Sequence, residues 1–122
     1  MEVRQARARD VVKHTRYFCP SDFVGYVVED EGEFMGMGWV VWADDGKPYV
    51  FFEVADEARK FKAHIARWSL RFMKTVSRVL EEVYVLEDET EPGSKRWIEW
   101  LGFKDTGRRV KGHRVLKWQK QL

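Results

Sequence analysis

Cysteine is nearly absent, with Cys19 the only one in 122 residues. An intrachain disulfide is excluded, and a reducing, soluble, intracellular setting is the expectation. To act as a nucleophile, a lone thiol beside Pro20, with His14 upstream, would need an orienting partner. The pattern marks none. Also missing is any run of about 18 apolar residues, so neither a membrane span nor a secretory leader is expected. The three histidines, His14, His64 and His113, lack metal-ligand spacing with one another or with Cys19, so no zinc site is expected. Neither a Walker-type phosphate loop nor a G-x-G-x-x-G fingerprint occurs. The glycines of "GEFMGMG" (Gly32 to Gly38) read as strand or bulge positions.

A charge excess is lacking too. The 22 basic and 20 acidic residues leave a formal net charge of +2, which gives little reason to expect nonspecific attraction to nucleic acid or membrane. The distribution is uneven, however. Acids gather in Glu29 to Glu33 and Glu81 to Glu91, and bases in Ala58 to Lys74 and Arg108 to Lys120. With 44% hydrophobic and 15% aromatic residues, the chain supports one compact domain over residues 1–122. The six tryptophans (Trp39, Trp42, Trp68, Trp97, Trp100 and Trp118) are expected mostly in the core, with some free to form an aromatic patch for a protein partner. The basic, aromatic tail lacks a base-stacking motif, so a nucleic-acid partner is not expected.

The elements follow from periodicity and turn signals. Met1 to Ala6 alternates weakly as a first strand, and Arg9 to Phe18 carries Val11, Val12, Thr15 and Phe18 at helical spacing. After Pro20, the stretch Phe23 to Asp56 reads as three strands, cut at Glu31-Gly32 and at Asp44-Asp45-Gly46 into hairpins. Asp56 to Leu80 is one long helix, with Phe61, Ile65, Trp68, Phe72, Val76 and Val79 on a single face. On the opposite face Lys60, Arg67, Arg71, Lys74 and Arg78 form a basic stripe. Val83 to Glu87 is a short strand. A short helix then runs from a Ser94 cap to Gly102, and two strands flank Lys111-Gly112.

A strand feeding a long helix feeding a strand implies a parallel, right-handed crossover. The expected fold is therefore α/β: a mixed, mostly antiparallel sheet with a central strand-helix-strand crossover and helices on both faces.

The order of elements, and "RWIEWLGFKDTGR" (Arg96 to Arg108) in particular, resemble the GCN5-related N-acetyltransferase (GNAT) family, whose fourth helix commonly ends in "YEKLGF" before the last hairpin. The resemblance spans the chain, although the region between the first two strands, where the family usually has two helices, is short here. It implies acyl transfer from acetyl-CoA or another acyl-CoA to the amine of a small molecule or a protein. In the family the strand before the long helix leads into a "V-x-P-E-x-R-G-x-G-x-G" segment, whose glycines let backbone N–H groups approach the pyrophosphate. The matching run here is "VADEARKFKAH". Val54, Glu57 and Arg59 agree, while Asp56 replaces proline and Lys60, Lys62 and His64 replace the glycines.

Two readings of that run stay open. Arg59, Lys60, Lys62 and His64 bind phosphate with side-chain charge in place of backbone donors. Alternatively, Asp56 caps the helix, Glu57 favours its dipole, and the lysines are a solvated surface. For chemistry, the family's acidic residue on the strand before the long helix corresponds to Glu53, the candidate base; an aromatic setting would raise its pKa. The family's tyrosine falls at Ile98 and its asparagine at Glu91, leaving Tyr84 or Tyr49 as candidate acids. Such substitutions mark a degenerate active site. Short chains of this kind also resemble acetyltransferase-like proteins of tailed bacteriophages. The alternative is thus a non-catalytic virion, assembly or host-binding protein that has lost the cofactor.

Overall fold

The structure, a computed structural model, describes residues 2–14, 23–87 and 94–120. Thr15, Phe18, Cys19, Pro20 and Glu91 lie outside them, as does the side chain of Ser94. In chain order the elements are β1 (Glu2–Gln5), α1 (Ala8–His14), β2 (Phe23–Asp30), β3 (Glu33–Trp42) and β4 (Pro48–Val54). A 3-10 turn (Asp56–Phe61), α2 (Lys62–Ser77), β5 (Glu82–Leu86), α3 (Ser94–Trp100), β6 (Lys104–Val110) and β7 (His113–Gln119) complete them. The strands form one sheet in the order β1-β2-β3-β4-β5-β7-β6. Neighbours are antiparallel except β4 and β5, which run parallel because α2 carries the chain back across the sheet. This is the mixed α/β architecture that the element order implies.

Local chemistry sets the hairpins. Glu31 and Gly32, like Lys111 and Gly112, are paired residues with positive φ, the conformation that a two-residue turn needs to match strand twist. At the β3–β4 turn, Ala43 N–H donates to the Lys47 carbonyl at 2.9 Å, and Lys47 N–H donates to Asp45 Oδ1 at 2.9 Å.

Alternation along the strands divides the core between the two faces of the sheet. On one, Ala6, Val11, Val27, Met37 and Trp39 pack α1 against β2 and β3, with Phe51 stacked on Trp39 at 5.5 Å. On the other, Val40, Val50, Val83, Val85 and Leu116 meet Phe72, Met73 and Val76 of α2 and Ile98 of α3, with Leu101 and Phe103 just beyond α3. Gly38 lets α2 come close, since a Cβ there would stand 3.0 Å from the Trp68 ring. Fewer tryptophans lie in the core than expected: Trp39 is buried, Trp68, Trp97 and Trp118 are half-buried, and Trp42 and Trp100 are exposed on separate elements.

The long helix is not continuous from Asp56. Its first six residues form a 3-10 turn, and Phe61, at φ −100° and ψ 47°, separates that turn from α2. Lys60 therefore leaves the stripe, which runs through the exposed Arg67, Arg71, Lys74 and Arg78. The expected Asp56 cap is also absent. Ala55 holds the cap position without a side-chain bond, and the Asp56 carboxylate accepts from Arg59 Nε at 3.2 Å instead.

Two arginine clusters tie the sheet margins. Arg4 on β1 donates to Glu29 on β2, and through Nη1 and Nη2 to Asp10 at 2.9 and 2.7 Å. Asp10 also accepts the Arg7 N–H at 2.7 Å, closing the first turn of α1 from within. Beyond β5, the buried Glu87 takes Arg114 Nε at 2.6 Å and Nη2 at 2.8 Å, while Arg114 Nη1 reaches Asp105 at 2.7 Å.

The Arg4 guanidinium, with help from the Arg7 N–H, holds the Asp10 carboxyl at about 2, below its ordinary 3.8. A depressed folded-state pKa stabilises the fold above the unfolded value, and that contribution disappears as pH falls through the folded one. Asp10→Asn is expected to cost roughly 2 kcal/mol at neutral pH and to flatten the loss of Tm between pH of about 4 and about 2. Thermal melts across that range check it; a parallel fall in both proteins would reject it. Gly25→Ala would place a Cβ 2.5 Å from Trp39 Cβ and 2.7 Å from the Gly38 carbonyl oxygen. Because backbone is in the way, a loss of about 2 kcal/mol or more is expected in urea unfolding.

Candidate functional site

The sheet splits between β4 and β5. β4 pairs with β3 at seven register positions and β5 with β7 at five, but β4 and β5 meet at one, Tyr49 with Tyr84. Pro48, just before it, has no N–H to extend the ladder. Beyond Tyr49, β4 runs on to Val54 over roughly 16 Å with no further register pairing to β5. The result is a wedge with its vertex at the two tyrosines, opening toward Val54 on one side and Leu86 on the other.

The candidate residues fall at different places along this wedge. Glu53 is half-buried near the open end, in register with Met37 and on the same face as Tyr49 and Phe51. Val54 ends the strand, paired with Gly36. Tyr84 lies at the vertex, buried, with its ring 5.6 Å from that of Tyr49 and with Lys47 Nζ 5.4 Å and Lys117 Nζ 5.9 Å from its centroid. Its hydroxyl donates to Glu82 Oε1 at 3.4 Å, and Glu82 in turn pairs with Lys117 at 2.9 Å, which holds the carboxyl below its ordinary range. Four residues of strand rise, roughly 13 Å, separate Tyr84 from Glu53. The two do not form a contacting acid–base pair.

Val54 leads directly into the 3-10 turn, which gathers the basic candidates. Arg59 is paired with Asp56. Lys60, Lys62 and His64 are exposed, with Lys60 Nζ 5.3 Å from the Phe61 ring and the His64 ring edge-on to it at 6.1 Å. Phe61, at the cap position of α2, makes no side-chain cap bond, and α2 begins among these cations. Ala58, buried at 1% exposure, seats the turn on the body of the domain.

No protein-family model matches the chain, and no curated protein matches it. Solved structures do match. A protein assigned to the GnaT family of acetyltransferases from Bordetella pertussis aligns at 20% identity with TM-score 0.64, over 79% of this chain and 64% of its own. The chain thus spans less than two thirds of that protein. The GNAT domain of S. lividans PAT aligns at 18% identity and TM-score 0.66, over 94% and 70% of the two chains. A point variant of spermidine N-acetyltransferase SpeG from Vibrio cholerae aligns at 12% identity and TM-score 0.72, over 98% and 95%. The chain has the GNAT fold. Identities of 20% or less carry the fold alone.

Within the GNAT fold, the "LGF" motif stops α3 as its sequence requires. Gly102 has φ +105°, and the N–H groups of Gly102 and Phe103 turn back to the carbonyls of Glu99 and Ile98 at 3.0 and 3.3 Å. Ile98, where the family's tyrosine falls, is 3% exposed and part of the core. One contact escaped the sequence reading. Trp97 reaches from α3 to Phe52 on β4, with ring centroids 4.6 Å apart and edge-on, at a position where β4 has no register pair with β5. Phe52 also meets Phe72 of α2 at 5.6 Å, so this face of the wedge is floored by aromatic rings. The spacing of Trp97 and Trp100 places them on one helix, but nothing local names Phe52 as a partner.

Tyr84→Phe is expected to cost less than about 1 kcal/mol in urea unfolding, because a 3.4 Å hydroxyl contact is weak and the ring keeps its neighbours. A loss well above that would show that the phenol, rather than the ring, holds the vertex.

Proposed function

We propose that this chain binds an acyl-CoA in the β4–β5 wedge and transfers its acyl group to an amine. The observation that carries this reading is the single register contact between the two strands, Tyr49 with Tyr84, after which β4 runs on to Val54 and the start of α2 with no further pairing to β5. The available groups fit such a ligand. Strand backbone beyond the Tyr49–Tyr84 pair would match the amides of a pantetheine arm as it would match a strand. Lys60, Lys62 and His64, exposed around the start of α2, match phosphate by charge-assisted contact in place of the family's glycines. When bound, the cofactor would supply an acyl group activated as a thioester.

Glu53 is the proposed base. A carboxylate at the open end of the wedge would take the proton from the attacking nitrogen, directly or through one water, and Phe51 and Trp39 on the same face would limit solvent around it. Arg59, held by Asp56, orders the turn. Tyr84 is assigned to closing the vertex rather than to proton transfer.

A second reading has its own support: a non-catalytic binding or assembly protein that kept the fold. Phe52 and Trp97 occupy one face of the wedge, Ile98 has no proton to give, and Asp56 and Glu57 bring negative charge near the phosphate position.

Calorimetric titration of acetyl-CoA separates the two. Micromolar binding that weakens with added salt is expected, and Lys60→Ala with Lys62→Ala should raise Kd roughly tenfold. Glu53→Gln should leave Kd unchanged and slow acyl transfer by roughly a hundredfold or more, once an amine acceptor is in hand. No heat and no thermal shift at millimolar cofactor would overturn the acyltransferase reading in favour of a protein partner.

A further inference from the structure

Among the described residues, the indole Nε1–H of Trp97 is the buried side-chain polar group without a hydrogen-bond partner. Leaving a buried donor unpaired is costly, and native structures rarely do so without a reason. Its surroundings narrow the reason. α3 sits over β5 and β7, where Gly102 lies against the Trp118 ring, and Trp97 extends from there to Phe52 on β4, across the gap that the parallel strands leave. The Trp97 ring meets Phe52, and it packs against the apolar cluster that holds Val50, Phe72 and Ile98. A buried water needs two to four polar partners, and this lining offers it few beyond the indole itself. A ligand that brings its own acceptor along with methylene groups would suit both the donor and the apolar walls.

Resting on the acyl-CoA reading above, the geometry points to Trp97 as a hydrogen-bond donor to a carbonyl of the pantetheine arm. The floor of the wedge then does not exclude the cofactor. Phe52 and Trp97 form an apolar bed for its methylene groups, and the indole N–H fixes its depth. This residue takes over part of the recognition that the chain lost with its glycines.

The test follows the isotope-labelled indole N–H resonance of Trp97, assigned by its disappearance in Trp97→Phe, while CoA is added to the intact protein. CoA should move that resonance, and the adenosine bisphosphate half of the cofactor, which lacks pantetheine, should leave it in place while moving amides around Lys60 to His64. In calorimetry Trp97→Phe should weaken CoA about tenfold, the value of one buried hydrogen bond, and leave the adenosine bisphosphate unaffected. Binding of CoA with a stationary indole resonance, or equal affinity in Trp97→Phe, would overturn the assignment and leave the acyl-CoA reading intact. A protein whose resonances all ignore CoA would overturn both. If Trp97→Phe fails to fold, the indole resonance is assigned through its connectivities to the backbone of the unmodified protein, and the CoA titration then decides.

Discussion

The parallel contact of Tyr49 with Tyr84 determines where the sheet closes and where it opens. A crossover helix must return the chain alongside the strand it left, yet here the two strands share one register position. Strands β1 to β4 form one hydrogen-bonded unit and β5 to β7 another. The hydrogen bonds that hold a sheet together are therefore nearly absent at its centre, and something else must join the halves.

Side-chain packing does so. Val40 and Val50 come from one half, Val83, Val85 and Leu116 from the other, and α2 lays Phe72, Met73 and Val76 over both. Burial of apolar surface is nondirectional, so it can bridge a gap that a backbone ladder cannot. The aromatic contacts from Phe52 to Phe72 and to Trp97 extend that bridge under the opening itself. The arginine clusters act at the margins: Arg4 with Asp10 and Glu29 in the first half, Arg114 with Glu87 and Asp105 in the second. Each half is stiffened separately, and the wedge stays open between them.

The same arrangement concentrates polar opportunity at the mouth. The end of β4, a helix start without a side-chain cap bond and three exposed bases come together there. With Lys60, Lys62 and His64 in place of the family's glycines, the proposed phosphate contacts would come from side-chain cations rather than from backbone donors. Beside the wedge's apolar floor lies the Trp97 indole N–H, buried and without a hydrogen-bond partner among the described residues.

Much of the fold was legible. Every described strand and helix stands near its expected place, because alternation, helical spacing and turn residues such as Glu31-Gly32 and Lys111-Gly112 act over a few neighbours. The break at Phe61 was not legible, since the apolar spacing continues through it and only contact with the sheet shows that Ala58 must seat a turn. Of the site, the run from Glu53 to His64 was readable as a strand entering a helix, and its chemistry as acid followed by base. The separation of Tyr84 from Glu53, and the meeting of Trp97 with Phe52, were not. The sequence by itself determined which residues could be strand, helix and turn, because those preferences are local. Only the tertiary structure decided that two strands distant along the chain would touch at a single pair and leave a gap, because that depends on how all the surrounding side chains pack together.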